Sequence, residues 1–186
     1  MDELIELHRL SAAEFAGRVE RLGEADWRRP TPCDGWDVRQ LVDHVVRFNL
    51  YVSALLDGLT IADVALPDDV LGRDPAAVTL ESVRTAQAAF ERPGALDGLV
   101  HHPAADIPGS LFLVFRVFDF VVHGWDLAQG VGAVFETGPT LLAFTLTQAR
   151  ELEGAMAASG LFAPPRPLAS DADPMSEILA RTGRTG

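Results

Sequence analysis

The chain has 186 residues, of which 48% are hydrophobic, and a formal net charge of -12 without a single lysine. This length and composition suit one folded domain with its own core, and they exclude a disordered chain. The acidic balance argues against a nucleic-acid backbone or an anionic membrane as a partner, and no apolar run reaches the ~18 residues of a transmembrane helix.

The first segment predicts an amphipathic helix from Leu4 to Leu22, with His8 outside its apolar stripe and on the surface. The residues before this helix are acidic, where a signal peptide would be basic, so we expect a cytoplasmic protein. The only cysteine, Cys33, excludes an internal disulfide. It is expected to be either a thiolate near a site or a small apolar side chain in a tight loop.

Helical periodicity continues through most of the chain. Asp37 and Gln40 predict a variant capping box for the second helix, and Asp74 before Pro75 predicts the start of the third. His101 and His102 are expected to be exposed, in a short segment that is followed by a loop over residues 103–110. The further helices are predicted from Val38 to about Leu56, from Pro75 to about Glu91, through Asp119 to about Gly130, from Pro139 to Met156, and from Pro174 onward.

This order of elements predicts an all-α bundle, because helical periods dominate and β-branched alternation is rare. No internal repeat or linker divides the chain, so we expect a single domain over residues 1–186. Its core is expected over residues 1–160, and a proline-rich C-terminal tail with a short helix over residues 161–186.

The fourth predicted helix carries charged groups within an apolar run. Asp119 and His123 are four residues apart, which puts them on one helix face with Cβ atoms roughly 5–6 Å apart, and Asp126 follows on the same stripe. Burying such groups unpaired costs roughly 2–7 kcal/mol for a polar group and more for a charge. A divalent cation is the simplest partner that would satisfy them.

A second ionisable group, His44, falls on the apolar face of the second helix. Two imidazoles and one carboxylate, from His44, Asp119 and His123, would leave a coordination position open, as catalytic metal sites do. Plainer interpretations stay open: a hydrogen-bonded core histidine, and a surface pair on the later helix. Asp126 is expected to orient a histidine or, as a catalytic residue, to handle protons.

Three stretches of the chain carry a family pattern: PTPCDGWD at 30–37 with the helix that follows, DFVVHGWDLA at 119–128, and the tail from Ser159 to Arg184. Together they cover nearly the whole chain. Their combination resembles the DinB-like superfamily, in the branch named for mycothiol-dependent maleylpyruvate isomerase, although each stretch alone would be weak evidence.

The resemblance implies a DinB-like four-helix bundle with short additional helices. It also implies a divalent metal, zinc or nickel, held by His44, Asp119 and His123, and a low-molecular-weight thiol such as mycothiol as co-substrate. The chain departs from the isomerase at Asp119, where the isomerase carries glutamate. It also has a proline-rich tail where the isomerase has an additional C-terminal domain.

Three functions stay open at this point. The first is a metal-dependent enzyme in which a small thiol adds, as thiolate, to a small electrophilic substrate for transfer or isomerisation. The second is a non-catalytic metal-binding protein in stress response or regulation, and the third is a purely structural bundle. A homodimer is kept open as the assembly.

Overall fold

The computed structural model describes residues 2–160, 162–169 and 171–185, so Leu161 of the C-terminal sequence match lies outside the described residues. Within these residues the chain forms seven α-helices and one small two-stranded sheet, which confirms the all-α prediction. None of the described helices is long and apolar enough to cross a bilayer. The elements are α1 (Asp2–Glu20), α2 (Val38–Leu56), α3 (Pro75–Phe90), β1 (Leu99–His102), β2 (Ala105–Pro108), α4 (Gly109–Val131), α5 (Pro139–Glu151), α6 (Glu153–Ser159) and α7 (Pro174–Arg181).

The chain divides into two compact units, residues 1–135 and 136–186. The first unit is the predicted DinB-like four-helix bundle: α1 packs against α3 and α4, and α2 packs against the same two helices. Its apolar core consists of two clusters of buried side chains. The largest fully buried apolar side chains in them are Phe15, Phe90, Phe112, Phe120, Leu41, Leu55, Leu71, Leu113 and Leu127. The prediction of a single domain over the whole chain stays a prediction.

Helix starts follow the local capping signals. Asp37 accepts a hydrogen bond from the Gln40 amide, and the Gln40 side chain accepts one from the Asp37 amide, so the predicted capping box is formed. Asp74 caps α3 through the Ala77 amide. The single helix predicted from Pro139 to Met156 is wrong, because the backbone leaves helical geometry at Leu152 and divides the segment into α5 and α6.

A β-hairpin joins α3 to α4. The segment from residue 103 to 110 was expected to be a loop, but Ala105–Pro108 pairs antiparallel with Leu99–His102. His101 is exposed as predicted and pairs with Asp106. His102 differs from the prediction: it is half-buried because its ring packs near the rings of Phe48, Phe112 and Phe115, at centroid distances of 6.2, 6.2 and 5.6 Å.

Ion pairs around Glu177 on α7 connect α5 with α7 in the second unit. Its two carboxylate oxygens accept from Arg150 Nε and Nη2 at 2.7 and 2.6 Å, and Arg181 Nε donates to the same group at 2.9 Å. The Arg150 hydrogen bonds lower the pKa of Glu177 to about 2. The proline-rich segment is tied to this unit by Arg166, whose Nε donates to the Gly183 carbonyl.

His8 does not lie on the surface, contrary to the prediction. Its side chain is fully buried in α1, its Nδ1 lies 2.6 Å from Gln87 Oε1, and its ring packs edge-on against Phe90 and Phe120. Burial lowers the pKa of His8 to about 4, so the ring is neutral in the folded protein near pH 7.

This buried histidine should make the protein acid-sensitive. The folded pKa of about 4 lies below the ordinary value of 6.5, so the stabilising effect is complete above pH 6.5 and is lost as pH falls toward 4. The shift corresponds to roughly 3 kcal/mol. Between pH 6.5 and 4 the free energy of unfolding, measured by urea denaturation, should therefore fall more steeply in the wild type than in His8→Leu. The exposed His101→Ala should retain the wild-type slope; equal slopes for all three proteins would contradict this assignment.

Candidate metal centre

The structure brings the three predicted ligands together. His44 projects from α2, and Asp119 and His123 project from α4. Asp119 Oδ1 lies 3.3 Å from His123 Nε2 and 3.9 Å from His44 Nε2, and one ligand atom from each residue falls within 4.8 Å of the other two. The i, i+4 spacing on α4 and the packing of α2 against α4 together produce this cluster.

The donor set fits a divalent cation. Tetrahedral ligands at bond lengths of about 2.0–2.1 Å stand roughly 3.4 Å from one another, so the observed separations need only small adjustments. The cluster is reachable: the side chains of His44 and Asp119 are 27% and 24% exposed. An exogenous ligand could therefore reach a cation held there. The assignment of these residues as ligands stays a prediction.

The Asp119 carboxylate lies among positively charged groups. Burial raises the pKa of Asp119, but His123 and Arg116 together outweigh that effect and hold the pKa well below its ordinary value. Burial lowers the pKa of His123, and the Asp119 carboxylate outweighs it and raises the pKa well above the ordinary value. Asp119 is thus an ionised carboxylate whose counter-charges are already in position.

Arg116 is a member of the site that sequence analysis missed. Its guanidinium is 3% exposed, and its Nη1 donates to Asp119 Oδ2 at 2.7 Å. Its Nη2 donates to Asn49 Oδ1 at 2.8 Å. The signal was present, because an arginine stands three residues before Asp119 in an otherwise apolar helix, a spacing at which side chains meet.

Asp126 lies behind His123. Its carboxylate has no exposed surface, and Oδ2 is 2.9 Å from His123 Nδ1, so it can fix the orientation of the imidazole. Cys33 Sγ donates to the same Oδ2 at 3.2 Å and lies 3.8 Å from His123 Nδ1. Cys33 therefore lies beside the site as a hydrogen-bond donor and also packs against the apolar core, so both expectations for it, a thiolate and a small apolar side chain, stay predictions.

These contacts define a second group that could hold a cation, formed by Cys33, His123 and Asp126. The two groups use opposite nitrogens of His123. The group with His44 and Asp119 is the better candidate, because Asp126 is fully buried and its short contact with Nδ1 is that of a hydrogen bond.

The loop before α2 closes one side of the cluster. It packs on α4 at Gly130, where a Cβ atom would lie 3.1 Å from the Pro30 carbonyl oxygen. Trp36, at the end of this loop, packs with its ring tilted by 42° and its centroid 4.8 Å from that of His44. The ring centroid of Phe48, on the same helix as His44, lies 5.0 Å from that of His44. Aromatic surface therefore flanks His44.

Comparison with known proteins assigns the chain to a family. Residues 8–128, more than half of the chain, match the model for the mycothiol maleylpyruvate isomerase N-terminal domain. Two Mycobacterium tuberculosis proteins from strains CDC 1551 / Oshkosh and H37Rv, each described as uncharacterized, are 29% identical over 187 residues, which is 100% of this chain and 99% of theirs.

Two solved structures share the fold. The crystal structure of the mycothiol-dependent maleylpyruvate isomerase superposes with a TM-score of 0.68 at 20% identity, and that of its histidine-to-alanine mutant with 0.66 at 19%. Both comparisons cover 86% of this chain and 72% of the other chain. The chain belongs to the mycothiol maleylpyruvate isomerase N-terminal domain family.

Proposed function

We propose that the protein is a divalent-metal-dependent enzyme that uses a low-molecular-weight thiol, such as mycothiol, to transfer or isomerise a small electrophilic substrate. One observation carries the proposal: two imidazole nitrogens and one carboxylate oxygen converge at a half-exposed position in a helical bundle. Membership in a family named for a mycothiol-dependent enzyme supports the thiol. Zinc or nickel suits the two-histidine, one-carboxylate donor set.

Each residue of the cluster has a separate task in this proposal. His44, Asp119 and His123 would hold the cation, and Asp126 would keep His123 in the orientation that directs Nε2 toward it. When bound, the cation would stabilise the anionic, nucleophilic form of a thiol sulfur.

Proton handling is the proposed task of Asp126. Because its carboxylate is fully buried, a proton that it exchanges would pass through a neighbouring side chain, and His123 Nδ1 and Cys33 Sγ both contact Oδ2. Trp36 is proposed to shield the His44 side of the site from water.

Metal content should depend on all three ligands. His44→Ala, Asp119→Ala and His123→Ala each leave too few donors to retain a labile cation, so each should bind metal at least tenfold more weakly than the wild type. Elemental analysis of purified protein measures this, with circular dichroism to verify the helical fold. The exposed His101→Ala serves as the matched histidine control. Full occupancy in His44→Ala would remove that residue from the site.

The two possible cation groups can be distinguished by a pair of variants. Asp126→Asn weakens the acceptor for His123 Nδ1 and should lower metal affinity about 10–100-fold. Cys33→Ser keeps a donor toward Asp126 and should change metal affinity less than about threefold. Competition with a chromophoric chelator gives both affinities. A large loss of metal in Cys33→Ser would assign the cation to the cysteine-containing group instead.

Thiol binding tests the enzymatic part of the proposal. In cobalt-substituted protein, sulfur ligation should add an intense near-ultraviolet band, and the affinity should rise with pH toward the thiol pKa of about 8.5 because the thiolate is the bound form. The cobalt protein would be titrated with mycothiol and, as control, with 2-mercaptoethanol. A metal-loaded protein that gives no band with either thiol would favour the non-catalytic metal-binding function.

A further inference from the structure

Arg116 places a buried positive charge beside the Asp119 carboxylate of the cluster. Its side chain is enclosed between α2 and α4, where its guanidinium carbon lies 5.1 Å from the Phe120 ring centroid and 5.6 Å from that of Phe48. A guanidinium stays protonated at any physiological pH, so this is a permanent positive charge in the interior of the bundle.

The position of this charge is fixed from two sides. Nη1 donates to Asp119 Oδ2, and Nη2 donates to Asn49 Oδ1 and, at 3.4 Å, to the Val45 carbonyl. Asn49 is itself held, because its Nδ2 donates to Ser82 Oγ on α3 at 3.0 Å. The guanidinium is therefore anchored to a second helix and cannot follow Asp119 if the carboxylate rotates.

This arrangement divides the two oxygens of Asp119 between different partners. Oδ2 is occupied by Arg116, and Oδ1 faces His44 Nε2 and His123 Nε2. A carboxylate held in this way offers one oxygen to a cation rather than two. Its negative charge is also largely compensated by the guanidinium, so a divalent cation would keep most of its positive charge.

We propose that Arg116 is a positioning residue of the metal centre: it restricts Asp119 to one coordinating oxygen and makes the centre select an anionic ligand, the thiolate, over a neutral one. This inference rests on the proposed function. The Arg116 guanidinium adds one positive charge to the sum over a divalent cation and the nearby carboxylates of Asp119 and Asp126. An incoming thiolate gains from the additional charge, and a neutral ligand does not.

The inference predicts that removing the Arg116 charge lowers the affinity for thiolate but does not lower the affinity for the metal ion. Arg116→Met replaces the guanidinium with an apolar side chain that can pack against the rings of Phe48 and Phe120. The cobalt ion should bind at least as tightly as in the wild type, because a repelling charge has been removed. Thiolate affinity, measured from the near-ultraviolet band with 2-mercaptoethanol at fixed pH, should fall roughly tenfold or more. The visible bands of cobalt should also weaken as the released carboxylate adds a second oxygen to the coordination sphere.

A neutral ligand, imidazole, and two further variants distinguish an effect of the Arg116 charge from a general change in structure. Imidazole is a neutral ligand and should bind cobalt-loaded wild type and Arg116→Met with affinities within about threefold. Arg116→Lys keeps the charge and should recover most of the thiolate affinity. Arg84→Met makes the same substitution at an exposed arginine outside the cluster and should leave both affinities unchanged.

The outcomes separate this inference from the proposed function. If the wild type gives no sulfur band, the proposed function fails, and the inference fails with it. If the wild type binds thiolate, the inference is overturned when metal-loaded Arg116→Met binds thiolate as tightly as the wild type. The inference is also overturned if the affinities of Arg116→Met for thiolate and for imidazole both fall to the same extent, since that result assigns Arg116 a purely structural role.

Discussion

The ionised carboxylate of Asp119, placed between two helices of an apolar bundle, is the constraint on which the rest of the site depends. An uncompensated charge in such a position would cost several kcal/mol, so its neighbours must supply positive charge and hydrogen bonds. Arg116 occupies one oxygen, and His123 and His44 face the other. The anchoring of Arg116 on Asn49 extends this requirement from α4 to α2, and the bond from Asn49 to Ser82 extends it to α3.

The ionisable residues of α4 lie in a single stripe with spacings of three, four and three residues: Arg116, Asp119, His123 and Asp126. Along that stripe the charges alternate, and each neighbouring pair lies within 3.3 Å. This order explains why an apolar helix can carry four ionisable groups. It also gives His123 two distinct nitrogens, one toward the half-exposed cluster and one toward the buried Asp126.

Local patterns in the sequence predicted what depends on local geometry. The helical period of the apolar residues predicted the helices, and the capping box at Asp37 predicted the start of α2. The i, i+4 spacing predicted that Asp119 and His123 lie side by side. The convergence of His44 with this pair was expected from the packing of a bundle and from the family resemblance. Other pairings between distant residues were not predicted: His8 lies against Gln87, 79 positions away, and Cys33 contacts Asp126 across 93 positions. Such contacts depend on how helices pack, which no local pattern records.

The candidate metal centre and the second compact unit lie in different parts of the chain. His44, Arg116, Asp119, His123 and Asp126 all lie within the matched segment, residues 8–128. Residues 136–186 form a separate compact unit outside that segment, built around the ion pairs of Glu177. The cluster thus lies in the part of the chain that the family model matches, and the second unit lies outside that part. Under the proposed function, the thiol chemistry is therefore to be sought in the atoms around Asp119, where the three candidate ligands meet.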